Sequence, residues 1–96
     1  MANLSPNQLL HVADLFKALG EPLRLQILQL LCNQPLHVSE IVASLRSTQP
    51  NISRHLATLT RAGAVQRTRA GQRVIYALKG DLIPQLCTLV CSSLSR

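Results

Sequence analysis

The sequence predicts a mainly α-helical domain with a small β-hairpin, ordered as four helices, two strands and a closing helix. Three observations predict it. Apolar residues recur three and four apart from Leu9 to Leu59 and again from Leu82 to Val90. Between Val65 and Leu78 that spacing gives way to alternation, the strand period. Prolines and glycines fall at the joints between these runs and seldom inside them. At 96 residues the chain has the length of one compact domain, so residues 1–96 are read as a single unit.

Each element has a local reason. Ser5-Pro6 is a capping residue followed by a proline in the first turn, and it opens a helix over about 6–19 that ends at Gly20. Leu9, Val12 or Ala13, Phe16 and Leu19 lie along it at helical spacing. Pro22 opens a second helix, Leu23 to about Cys32, apolar on most sides and therefore the expected central helix. Asn33-Gln34-Pro35 breaks it. A short helix from Val38 to Leu45 turns Ile41, Val42 and Leu45 inward, and Ser47-Thr48-Gln49-Pro50 starts a fourth that runs to Ala62 and stops at Gly63. Val65 to Arg69 reads as a strand, Ala70-Gly71 as the turn and Arg73 to Leu78 as the return strand. The closing helix covers about 81–94, with Pro84 in its first turn, where proline is tolerated.

Charge is segregated along this order. Arg46, Arg54, Arg61, Arg67, Arg69, Arg73 and Lys79 occur between residues 46 and 79 with no acidic residue among them. In the first 45 residues Lys17 and Arg24 are outnumbered by Asp14, Glu21 and Glu40. Nearly all of the formal charge of +6 therefore lies on one helix and the hairpin, the layout of a module that grips a nucleic-acid backbone. Phe16 and Tyr76 are the only aromatic residues. Single strands and RNA are held by stacking bases on several rings, so this poverty favours duplex DNA.

Short helix, tight turn, second helix and hairpin make a helix-turn-helix, about 38–62, with a wing, about 65–78. On the helix from Gln49 to Arg61, Ile52, Leu56 and Leu59 share one face and point to the core. Arg54, Ala57 and Arg61 lie opposite, flanked by Asn51, Ser53 and Thr58, with Gln49 at the start. Short polar side chains allow close approach to the major groove, and arginine and asparagine match the donors and acceptors of base edges. Arg67, Arg69 and Arg73 on the hairpin are placed to meet phosphates or the adjacent minor groove. The alternative, a merely solvated charged face, does not account for the missing acids. His55 is read as a hydrogen-bonded histidine at the helix edge ahead of a base contact or a ligand.

These segments resemble a known family. Phe16-Lys17-Ala18-Leu19-Gly20-Glu21-Pro22-Leu23-Arg24-Leu25 is similar to the opening signature of the bacterial ArsR/SmtB repressors. Gln49-Pro50-Asn51-Ile52-Ser53-Arg54-His55-Leu56, followed by Leu59, Ala62 and Gly63, resembles that family's recognition helix. Arg69 to Leu78 resembles its wing, so the resemblance spans about residues 9–80. It implies a winged-helix homodimer, joined through its first and last helices, that holds double-stranded operator DNA until an inducer releases it. The last helix agrees, because its apolar positions exceed what one protomer of this size covers.

Two inducer sites used by ArsR-like repressors are missing. The helix Val38 to Leu45 has no cysteine pair, and after His55 the chain has no histidine to join Asp81 in a set on the last helix. What remains is Cys87 and Cys91, one turn apart on the last helix, with Cys32 as a third candidate ligand. Thiolates so placed suit As(III) or another thiophilic ion, with ligands from one protomer or both. Plain packing is a competing reading, since cysteine is often buried and Cys87 falls on the stripe of Ile83, Val90 and Leu94. A redox or persulfide link between Cys32 and the last helix is another. His37 and His11 are weaker ligand candidates. No cofactor is needed for DNA binding on this reading.

An enzyme is not expected. The chain shows no nucleophile–base–acid set and no glycine-rich phosphate loop, and it has four acidic residues in all. The rival from another class is a winged helix used for protein–protein contact. Met1 to Leu4 lacks the basic, apolar character of a signal peptide, and no run is long enough to span a bilayer. The expected compartment is therefore the cytoplasm, with the cysteines as thiols and no membrane partner.

Overall fold

The computed structural model describes residues 3–95. Its elements are α1 (Pro6–Leu19), α2 (Pro22–Asn33), β1 (Leu36–His37), α3 (Val38–Leu45), α4 (Gln49–Arg61), β2 (Val65–Ala70), β3 (Arg73–Leu78) and α5 (Leu82–Leu94). The helices and the hairpin lie where the periodicity puts them, with ends shifted by a residue or two.

The helix ends have identifiable causes. Ser5 and Gln8 form a reciprocal capping box: the Gln8 backbone N–H donates to Ser5 Oγ (3.2 Å) and the Ser5 N–H to Gln8 Oε1 (2.8 Å). Glu21 caps α2 by accepting from the Arg24 N–H at 3.0 Å, and Thr48 caps α4 by accepting from the Asn51 N–H at 3.3 Å. Helix α4 ends in a Schellman motif. Gly63 takes φ of +83°, the Ala64 N–H donates to the Leu59 carbonyl and the Gly63 N–H to that of Thr60. Helix α3 ends differently, with Arg46 itself in the left-handed region at φ +52°.

One core joins every element except β3. Ile27, Leu28 and Leu31 of α2 meet Ile41 of α3, Ile52, Leu56 and Leu59 of α4, and Ile83 of α5. Ala18, Leu36, Ala64 and Val65 complete it, while Tyr76 and Leu78 of β3 pack on its border. Helix α2 is central, as its composition predicts, although Leu25 points outward.

Strand β1 is the element that sequence patterning missed. Two residues carry no period, yet Leu36 and His37 pair antiparallel with Tyr76 and Ile75, giving a three-stranded sheet ordered β1-β3-β2. The hairpin turn also differs by one residue. Ala70 pairs with Arg73, so Gly71-Gln72 is the two-residue connection, and Gly71 supplies the positive φ (+66°) that such a turn requires. On α5 the expected apolar stripe divides: Ile83 is buried and Cys87 half-buried, while Val90 and Leu94 are exposed. The stripe on α1 likewise leaves Leu9 and Phe16 exposed.

Candidate DNA-reading face and thiol cluster

The helix-turn-helix presents α4 by burying one face of it. Ile52, Leu56 and Leu59 are fully enclosed, which fixes the helix's rotation and leaves Gln49, Arg54, Ala57 and Arg61 exposed. Asn51, Ser53 and Thr58 are half-buried at the flanks. The polar side chains are joined to one another. Asn51 Nδ2 donates to Ser47 Oγ (3.0 Å), Arg54 Nη2 to Asn51 Oδ1 (2.6 Å) and Gln49 Nε2 to Ser53 Oγ (3.2 Å). Arg61 Nη2 lies 3.4 Å from Thr58 Oγ1. Such links hold long side chains in place before any ligand arrives, which lowers the entropy lost on binding.

The wing does not gather its three arginines on one surface. Cross-strand pairing sets Arg67 beside Tyr76 and Arg69 beside Val74, on the face that also carries Val65 and Leu78. Arg73 pairs with Ala70 on the opposite face and reaches His37, its Nη1 lying 3.1 Å from His37 Nε2. His37 Nδ1 is 3.1 Å from the Val74 carbonyl. An arginine can only donate and a carbonyl only accept, so both contacts require neutral His37 with its proton on Nδ1. The Glu40 carboxylate accepts from the His37 N–H at 2.8 Å, which ties this latch to the first turn of α3. The sequence treats the three arginines alike; the register separates them.

His55 is a hydrogen-bonded helix-edge histidine, and its partner is one that sequence reasoning missed. Arg24 Nη1 lies 3.3 Å from His55 Nδ1, while Arg24 Nε donates to the Ala18 carbonyl (2.5 Å) and Nη2 to that of Lys17 (3.3 Å). One guanidinium thus spans the end of α1, the start of α2 and the middle of α4. The available signal was a lone arginine in a segment that carries little net charge.

The three cysteines converge where α5 packs on α2. Cys32 and Cys91 are exposed and Cys87 is half-buried. The Cys32 thiol is pushed above the ordinary thiol value by partial burial first, then by the charge of Cys87 and a hydrogen bond with it, then by Cys91. All three line an apolar cavity of about 660 Å³ that Phe16, Leu28, Ile83 and Val90 help to wall. The expected three-cysteine ion site is not assembled. Among the described residues no group of three or more His, Cys, Asp or Glu side chains is arranged to hold a metal ion. Nor, among them, is any helix long and apolar enough to cross a membrane.

An outward-facing helix on a helix-turn-helix, flanked by a basic hairpin, defines a winged helix-turn-helix DNA-binding domain. The model of a family described as bacterial regulatory proteins of the arsR family matches residues 21–67. An HTH-type transcriptional regulator of Methanocaldococcus jannaschii is 39% identical over 79 residues, 81% of this chain and 89% of that one. The homodimeric winged helix-turn-helix DNA-binding domain of a Mycobacterium bovis regulator superposes with a TM-score of 0.86 at 32% identity, over 99% of this chain and 91% of that one. Reduced HlyU from Vibrio cholerae gives 0.78 at 31% identity, over 90% of each chain. The chain belongs to the ArsR/SmtB family of DNA-binding transcriptional regulators, which are not enzymes.

Proposed function

We propose that this chain is a homodimeric operator-binding repressor whose hold on DNA is set by a thiol link between α2 and α5. The observation that carries the reading is that Cys32 of α2 and Cys87 and Cys91 of α5 line one cavity between the two helices. Dimerisation through α1 and α5 is supported by Leu9, Leu10 and Phe16 on one and Leu82, Leu89 and Leu94 on the other, all exposed in the protomer. Two-fold symmetry then sets two α4 helices about one DNA turn apart. Gln49, Asn51, Ser53, Arg54, Thr58 and Arg61 contact base edges or their flanks, and Arg67, Arg69 and Arg73 meet the backbone.

The link itself is best read as two-sulfur chemistry. Oxidation joins Cys32 to a cysteine of α5 as a disulfide: two thiols give two protons and two electrons to a peroxide, which leaves as two waters. The neighbouring HlyU structure is described by its redox state, which fits the same chemistry. A thiophilic ion such as As(III) is the second reading: Cys32, Cys87 and Cys91 share one cavity wall, but they would have to draw together from their present arrangement to hold it. Either link alters the seating of the dimer helix on the body, and so the spacing of the reading helices.

The test is fluorescence anisotropy of the reduced protein on its own upstream DNA. Release by one equivalent of peroxide, reversed by dithiothreitol and lost in Cys32→Ser, supports the disulfide. Release by arsenite under reducing conditions, lost in Cys87→Ser with Cys91→Ser, replaces it with the ion. Preference for that DNA unmoved by either reagent removes the thiol switch and keeps the DNA reader. A preference below about 10³-fold over random duplex removes the operator and favours the protein-contact reading.

A further inference from the structure

We propose that the cleft between α1, α2 and α4 is a binding site for a phosphoryl group. It encloses about 380 Å³ and is walled by Lys17 of α1, Arg24 of α2, and Thr58 and Arg61 of α4. Asp14, one turn before Lys17, is the only acidic group on its wall, so three cations face one carboxylate. The donor set is mixed in a way that suits a tetrahedral oxyanion: one ammonium, two guanidiniums and a hydroxyl, drawn from three helices. Arg24 is fixed in place by the carbonyls of Lys17 and Ala18 and by His55, contacts that use one N–H on each terminal nitrogen and leave one on each. Arg61 is turned toward Thr58 on the same wall. Arg24 and Arg61 are therefore held at the cleft by contacts that do not neutralise them, with exposed Lys17 on the same wall.

Two sources offer that group: the operator backbone and a small phosphorylated molecule. Thr58 and Arg61 belong to the flank of the face read here as DNA-contacting, so on that reading a backbone phosphate comes within reach of the cleft. The volume falls within the range of small-molecule pockets, and an occupant would press on α4 through the Arg24–His55 contact. In both cases Lys17 gains a role that its place in the acidic half of the chain hides. The site is independent of the thiol link, so failure of either leaves the other standing.

The experiment uses the reduced full chain and its Lys17→Gln variant, Lys17 being exposed and outside the core. Amide NMR shifts are followed while inorganic phosphate is added against chloride at equal ionic strength. The salt dependence of upstream-DNA binding is measured on the same two proteins. Saturable shifts around Lys17, Thr58 and Arg61, lost in Lys17→Gln, establish a site for a free phosphorylated ligand. No such shifts, with a salt slope shallower by about one unit in Lys17→Gln, place a backbone phosphate there. Asp14→Asn should tighten whichever interaction is found. Absence of both signals overturns the proposal.

Discussion

Removing the Arg24 guanidinium tests whether α1 is fastened to the reading helix as the hydrogen bonds indicate. In Arg24→Ala the carbonyls of Lys17 and Ala18 and the Nδ1 of His55 lose their donor. A hydrogen bond to a charged group contributes about 1.5–3 kcal/mol, and an acceptor left dry costs about 1–3 kcal/mol. Lys17 is exposed, so its carbonyl regains water; Ala18 is 3% exposed, so its carbonyl has far less access to it. Counting the Ala18 contact at about 1.5–2 kcal/mol and the longer His55 contact at about 0.5–1, and discounting the third, the loss comes to about 2–3 kcal/mol. At about 4–8 °C per kcal/mol for a domain of this size, Tm falls by roughly 10–20 °C.

The assay is thermal and urea unfolding at one fixed protomer concentration, because the stability of the proposed dimer would depend on it. Arg24→Lys keeps the charge but cannot fork between three acceptors, so it should recover less than half of the loss. His55→Ala alone should cost under about 1 kcal/mol, and its effect should disappear in the Arg24→Ala background. Arg24→Ala within about 0.5 kcal/mol of the parent would refute the reasoning.

Three further outcomes follow from single contacts. Arg46→Gly should raise stability by about 1 kcal/mol, since Arg46 holds a left-handed conformation that suits glycine; an unchanged urea midpoint would deny the strain. His37→Ala and Arg73→Ala should be non-additive for DNA affinity, each weakening it alone and the pair costing no more than Arg73→Ala; additive losses would mean that the latch does not position Arg73. The raised Cys32 thiol favours the protonated form in the folded state. Its contribution is therefore complete below the unfolded thiol value of about 8.5 and is lost as pH rises through the higher folded value. Stability should thus decline more steeply on the alkaline side in the parent than in Cys32→Ser, and iodoacetamide at neutral pH should label Cys32 more slowly than it labels an unfolded thiol. Parallel pH curves would contradict that shift.

Much of this was legible in the chain because its local signals agree with one another. Ser5-Pro6, Thr48 ahead of Pro50, and Gly63 each act within four residues, so reading them needs no knowledge of the fold. The rotation of α4 was equally legible, since burying Ile52, Leu56 and Leu59 leaves only one face for the arginines. What escaped depends on partners distant in sequence. Strand β1 exists because β3 offers a free edge to Leu36 and His37, and the Arg24–His55 contact joins positions 31 apart. The division of Arg67 and Arg69 from Arg73 follows from a register that Gly71-Gln72 sets, one residue beyond the expected turn.

These long-range contacts converge on α2, which gives the proposed switch a mechanical rationale. Arg24 lies in its first turn and holds the end of α1 and the middle of α4; Cys32 lies in its last turn and meets α5. The two are eight residues apart, about 12 Å along the axis. Between them Ile27, Leu28 and Leu31 are enclosed by the core, so the helix moves as a unit if it moves at all. A link closed at Cys32 therefore cannot be absorbed locally. It must either displace α5, whose outer face is exposed, or tilt α2 and carry the Arg24 contact with it. The first outcome changes the distance between reading helices; the second changes the angle of each. Arg24→Ala separates them: it leaves thiol-dependent release intact if α5 moves, and abolishes it if α2 tilts.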